Sequence, residues 1–234
     1  MTDKLYADNP EDLNIGIVLQ YNIADNGAID ADMLVRHARD CGFRGVSVSG
    51  GDTMQANLLK DSCEKYGLKF CQQRSAIKLE GPDVLTKLMI ARDELRNIYF
   101  EVDLDKDGQI AAEEVPAMDN LRQWIGRFGH AFYEARPTKD IITDSNAYIY
   151  KNAIAPYQIY IFIHKPLEDK ITLKGVPEIK RAIWIDTRKE LEFTQDGDQI
   201  TINLVRDNDD DDFTIHGLRL EAHRPEDDLG PTEF

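Results

Sequence analysis

Three cysteines in 234 residues, Cys41, Cys63 and Cys71, are too few for a disulfide framework and lack the paired spacing of a metal site. They read as reduced, packed thiols. Basic residues are also scarce: 28 Lys and Arg stand against 43 Asp and Glu, a formal net charge of −15 with a pI near 4.7. No basic cluster offers itself to phosphate, which excludes nucleic-acid backbone and anionic membrane as electrostatic partners. No apolar run is long enough to span a bilayer, and Met1-Thr-Asp-Lys-Leu-Tyr-Ala-Asp-Asn-Pro10 lacks the apolar centre of a secretion signal. The expected location is therefore cytoplasmic. No activated Ser or Cys nucleophile arrangement is visible. What is present is 42% hydrophobic residues, enough for one large core or two ordinary ones.

Two textures meet near Pro137. Before it, strand-like and helix-like runs alternate, the pattern of parallel βα units. Ile15 to Gln20 reads as a strand, Asp30 as the cap of a helix carrying Met33, Leu34, His37 and Ala38, and Gly45 to Ser49 as a second strand. A helix opens at Thr53 and ends at Gly67, with Leu68 to Cys71 as a third strand. Pro82 precedes a helix over 83–96, and Asn97 to Val102 is a fourth strand. A last helix runs from about Glu113 to Phe128, with Val115, Met118, Leu121, Trp124 and Ile125 on one face. Beyond Pro137, six short alternating strands separated by turn residues predict an antiparallel β-sandwich. They start near Ala147, Tyr157, Ala182, Leu191, Gln199 and Phe213. The expected organisation is a truncated βα-barrel-like domain of about four parallel strands over 1–137, a β-sandwich over 138–224, and a disordered tail over 225–234. The run Asp207 to Asp212 is read as an exposed acidic loop.

One segment carries a specific chemical pattern. Asp103, Asp105 and Asp107 place carboxylates at positions one, three and five of a calcium loop, Gly108 sits at the turn position, Gln109 offers its carbonyl at seven, and Glu114 falls at twelve. Hard oxygen ligands at this spacing suit Ca²⁺, so a calcium-stabilised module is one reading. The flank before it alternates like a strand, where an EF-hand needs a helix. A strand-to-helix turn, with Asp and Gly present for geometry, is the other. Asp52, Glu101 and Asp103 stand at predicted carboxyl ends of strands, where barrel chemistry resides, and are the candidate catalytic carboxylates.

The run Asn97-Ile-Tyr-Phe-Glu101, the turn Asp105-Lys-Asp-Gly-Gln-Ile110, and then Trp124, Gly129, Ala131, Tyr133, Arg136 and Pro137 resemble the end of the catalytic barrel of the α-L-fucosidases, retaining glycoside hydrolases. In that family an Asn-Leu-Leu-Leu-Asn strand enters an Asp-Gly turn, a helix ending in Trp follows, and a β-sandwich comes next. Upstream, Ala38-Arg-Asp-Cys-Gly42 precedes a strand, and Cys63-Glu-Lys-Tyr-Gly-Leu-Lys-Phe70 is similar to the family's Cys-Arg-Lys-Tyr-Gly-Leu-Lys-Phe. The resemblance also accounts for the Asp-Gly turn as plain architecture.

Departures from the family bear directly on function. A retaining glycosidase needs a carboxylate nucleophile and a second carboxyl group about 5 Å away. The family's nucleophile lies mid-barrel, and between Ser75 and Asn97 this sequence has room for a single helix. The family's sugar-gripping His-Trp-Gly aligns with Gln20-Tyr21-Asn22, and its His-His-Asp-Gly with Ser49-Gly50-Gly51-Asp52, so those His residues are absent here. The resemblance implies a relative that has lost hydrolysis and keeps a carbohydrate- or protein-binding role. The rival is an active hydrolase completed across a dimer or by Asp52, Glu101 and Asp103. Four parallel strands cannot close an eight-stranded barrel. Either two copies pair, third strand to fourth, as a homodimer, or the sheet stays open with helices on both faces.

Overall fold

A computed structural model of the protein describes residues 15–23, 28–206 and 212–224. The N-terminal ten residues, the expected tail and Asp207 to Asp211 of the acidic loop lie outside these. Contacts divide the chain into two compact units, Met1–Gly129 and His130–Phe234. Among the described residues no helix is long and apolar enough to cross a membrane.

The first unit is built on a parallel sheet. Its elements run β1 (Ile17–Ile23), α1 (Ala31–Asp40), β2 (Gly45–Gly50), α2 (Thr53–Tyr66), β3 (Lys69–Phe70), β4 (Ile77–Lys78), α3 (Val84–Asp93), β5 (Ile98–Asp103) and α4 (Val115–Glu134), the last containing the boundary between units. The strand order is β3-β2-β1-β5-β4, every pairing parallel. Among the described residues the four expected strands, here β1, β2, β3 and β5, stand in the order β5-β1-β2-β3, and the two-residue strand β4 joins outside β5, making five strands rather than four. A pair of residues has no periodicity of its own to betray it.

Local chemistry sets the helix ends. Asp30 caps α1 by accepting the Met33 N–H, and Asp52 caps α2 in a reciprocal box with Gln55. Gly67 closes α2 in the left-handed conformation at φ 73°, which costs glycine nothing. Along β1, odd positions face the helices: Leu19 and Tyr21 are fully buried, and the Tyr21 hydroxyl donates to the Leu34 carbonyl of α1 at 2.8 Å. A wholly buried leucine contributes about 2 kcal/mol by leaving water. One expectation for a helix face is corrected: Val115 is 48% exposed at the start of α4, outside the stripe of buried Met118, Leu121, Trp124 and Phe128.

The second unit is antiparallel. It comprises β6 (Ala135–Pro137), β7 (Ala147–Asn152), β8 (Gln158–His164), β9 (Lys170–Lys174), β10 (Ile179–Trp184), β11 (Phe193–Asp196), β12 (Gln199–Asn203) and β13 (Ile215–Ala222). These form a five-stranded sheet, β10-β13-β8-β7-β6, and a three-stranded sheet, β11-β12-β9. Ile159, Ile161 and Ile163 from the first join Ile171, Leu173, Ile200 and Ile202 from the second in one core, as a sandwich requires. Strands β6 and β9 add to the six expected from sequence.

Candidate functional site

Even positions of β1 point away from α1, and the parallel register aligns them with polar residues on both neighbours. Gln20 pairs with Ser47 on β2 and Glu101 on β5, and Glu101 in turn with Lys78 on β4. One step toward the carboxyl ends, Asn22 pairs with Ser49 and Asp103. One step the other way the row is apolar: Val18 lies beside Gly45 and Tyr99, and packs with Ile15 and Cys71. Gly45 is required there, since a Cβ would sit 2.9 Å from Ile15 Cγ2 and 3.0 Å from Cys71 Sγ. The result is an inner face stacked in layers, as in a barrel interior, apolar below and polar above.

Hydrogen bonds knit the polar rows. Gln20 Nε2 donates to Glu101 Oε2 at 2.9 Å, and Ser49 Oγ donates to the same oxygen at 2.9 Å. Gln20 Oε1 accepts from Ser47 Oγ at 3.4 Å and from the Arg74 backbone N–H at 3.2 Å. Asn22 Nδ2 donates to Asp103 Oδ1 at 2.7 Å. The cation of the site is Lys78, whose Nζ lies 2.5 Å from Asp103 Oδ2, 3.6 Å from Glu114 Oε1 and 4.0 Å from Glu101 Oε1. The Lys78 stem is partly exposed, but Nζ itself is sealed from solvent.

These contacts sort the charges. Burial pulls the Lys78 pKa down, but Asp103, Glu114 and Glu101 outweigh it and hold the ammonium above its ordinary value. Hydrogen bonds from Lys78 and Asn22 hold Asp103 below the usual carboxylate range. Glu114 goes the other way: burial raises it, against the Asp103 N–H, which donates to Glu114 Oε2 at 2.7 Å, and against Lys78. The same lysine thus sits between one carboxyl group held low, Asp103, and one pushed up by burial, Glu114, which is 5% exposed.

Of the three candidate catalytic carboxylates, the structure brings two together. Glu101 and Asp103 share one face of β5 and one lysine. Asp52 is engaged elsewhere, its carboxylate accepting the Gln55 N–H at 2.8 Å as the α2 cap. Gly50 and Gly51, both near φ +70°, make the tight turn before it, and a Cβ on Gly50 would lie 2.5 Å from the Ile23 carbonyl oxygen.

The five positions of the calcium pattern divide between two tasks. Asp105 Oδ1 accepts the N–H groups of Asp107 and Gln109, both at 2.9 Å, and the Gln109 carbonyl accepts the Asp105 N–H at 2.8 Å. Asp103 and Glu114 meet instead at Lys78. Among the described residues no group of three or more His, Cys, Asp or Glu converges as metal ligands. Gly108, at φ 71°, lets the turn approach residue 28, where a Cβ would stand 2.6 Å from the Ala28 carbonyl oxygen.

Sequence reasoning missed Ser47 and Lys78, and it noted Gln20, Asn22 and Ser49 only as positions where the family's His residues are absent. The available signal was the repeated i, i+2 polar pair at the carboxyl end of three strands: Gln20 and Asn22, Ser47 and Ser49, Glu101 and Asp103.

No family model matches the chain, and no curated protein matches it in sequence. Solved structures do match. The α-L-fucosidase of Bacteroides thetaiotaomicron, of glycoside hydrolase family 29, aligns with a TM-score of 0.70 at 8% identity, over 90% of this chain and 93% of that one. The Thermotoga maritima α-fucosidase in complex with fucose gives 0.64 at 10% identity over 93% and 83%. The α-L-fucosidase from Vibrio sp. strain EJY3 gives 0.70 at 10% over 84% and 62%. At such identities the likeness speaks for the fold, and the fold is that of the α-L-fucosidases.

Proposed function

We propose that this protein is a non-hydrolytic relative of the α-L-fucosidases, serving as a binding or assembly module whose first ligand class to test is carbohydrate. The observation that carries the reading is the Lys78 ion pair. Glycoside hydrolysis by two carboxyl groups needs one to donate a proton while the other attacks or stabilises. Glu101 and Asp103 face a common ammonium instead, and Asp103 is held ionised by it. The Ser49 hydroxyl, the Asn22 amide and the Asp103 carboxylate form a row of donors and acceptors suited to sugar hydroxyls.

One observation favours the rival, an active hydrolase. Glu114 is pushed up while Asp103 is held down, and carboxyl pairs driven apart in this way mark acid and base roles in many active sites. Hydrolysis of a nitrophenyl α-L-fucoside separates the two. The expected result is no turnover, together with a rise in melting temperature on adding L-fucose or another sugar. Turnover abolished by Asp103→Asn and by Glu114→Gln would establish the hydrolase instead.

A further inference from the structure

The edge strands β3 and β4 are consecutive in sequence yet stand at opposite sides of the sheet. Through the ladders, Phe70 aligns with Val46 and so with Leu19; Ile77 aligns with Phe100 and so also with Leu19. The last residue of β3 and the first of β4 therefore stand at the same level. The link between them is residues 71–76. From Phe70 to Ile77 is seven residue steps, about 23–25 Å when extended, and four inter-strand gaps of about 4.8 Å come to about 19 Å, so the link has little slack for a detour around the sheet. It runs over the inner face. Cys71 packs on Val18 and Ile15, and the Arg74 N–H donates to Gln20 Oε1 on the central strand at 3.2 Å.

We propose that residues 71–76 are an internal strap that takes the place of the absent barrel strands, closing the inner face from one edge to the other and making the parallel sheet complete in a single copy. Three further observations agree. Gln20 and Ser47 are 2% and 0% exposed on a face that would be wet in an open half-barrel. The outer edge of β5, which a second copy would need, is occupied by β4. Each remaining edge strand is two residues long, too short to template pairing with another chain.

The test is made on the full chain. Light scattering across a concentration series is expected to give the monomer mass throughout. Amide hydrogen exchange is expected to show the Arg74 amide slowed on the order of tenfold or more against its unstructured rate. Gln20→Leu, which removes the acceptor, is expected to restore fast exchange at Arg74 while leaving Leu59 in α2 protected. A stable dimer, or an Arg74 amide that exchanges freely in the wild-type chain, overturns the proposal, and both readings stand even if Gln20→Leu does not fold. Continued protection of Arg74 in a folded Gln20→Leu variant also overturns it.

Discussion

Glu114 Oε2 accepts the backbone N–H of Asp103 at 2.7 Å, so the last carboxylate of the acidic segment is fastened beneath the end of β5. The two side chains share Lys78 but titrate in opposite senses. Asp103 has a folded pKa below its unfolded one, and the stability it contributes is present above the unfolded value and lost as pH falls through the folded value. Glu114 has a folded pKa above its unfolded one, so the native state gives up stability as pH rises through that window. Relative to wild type, Asp103→Asn is expected to lose ground as pH rises through the acid limb. Glu114→Gln is expected to gain ground from the unfolded carboxylate pKa upward. Urea unfolding at stepped pH values measures both; slopes of the same sign would contradict the arrangement.

Glu114→Ala removes the acceptor altogether and leaves the Asp103 N–H without it. A cost of about 1–3 kcal/mol is expected. Glu114→Gln retains an acceptor and is expected to cost less at neutral pH, as equilibrium denaturation will show.

Asp52 is assigned to helix capping. Asp52→Ala should cost about 1 kcal/mol through loss of the capping box, and Asp52→Ser, which keeps a cap acceptor, should recover most of it. A sugar-induced melting shift that survives Asp52→Ala would confirm that the residue has no part in the binding row.

The turn over 105–110 closes on its own hydrogen bonds, with the Asp105 carboxylate and the Gln109 carbonyl already committed. Excess Ca²⁺ and chelator are therefore expected to give the same melting temperature. Asp105→Ala should lower it equally in both. A calcium-dependent rise that Asp105→Ala abolishes would return this loop to the metal reading.

In the second unit, Arg206 grips Asp186 with two nitrogens, at 2.8 and 3.3 Å, and lies over the Trp184 ring at 4.8 Å. The side chains are 6% and 4% exposed. Burial pushes the Asp186 carboxyl up, but Arg206, together with the backbone N–H groups of Thr187 and Asp186, more than reverses this and holds it below its ordinary value. Removing one partner strands the other, so Asp186→Ala should destabilise by about 3–5 kcal/mol, while a matched apolar replacement of both residues should cost far less. A double-mutant cycle by denaturant unfolding gives the comparison.

Features written in adjacent residues were legible in the sequence. Helix α2 begins at Thr53 and ends before Gly67 as expected, because Asp52, Gln55 and Gly67 act within a turn of where they stand. Glu101 and Asp103 were found because alternation put them at the end of a strand. Lys78 was not, because its strand consists of two residues and exists only by pairing with β5, over 20 residues further on. Ser47, and the hydrogen-bonding part played by Gln20, Asn22 and Ser49, escaped for a related reason. Polar residues alternating along a strand look solvent-facing until the fold turns that face inward. The acidic loop pattern matched its ligand spacing residue for residue, but spacing gave no sign that its first and last carboxylates, Asp103 and Glu114, would share Lys78.

The place of β1 at the centre of the parallel sheet also sets an order of assembly. Its partner on one side, β2, follows after a single helix, whereas its contacts with β5, such as Gln20 to Glu101, span 81 residues. During synthesis the β1-α1-β2 unit can form early, but one flank of its first strand stays unpaired until Asp103 has been made. Such distant pairing is slow. The late arrival of β5 should be the rate-limiting step in folding the first unit, and the waiting edge of β1 the place where a nascent or truncated chain is most prone to mispair.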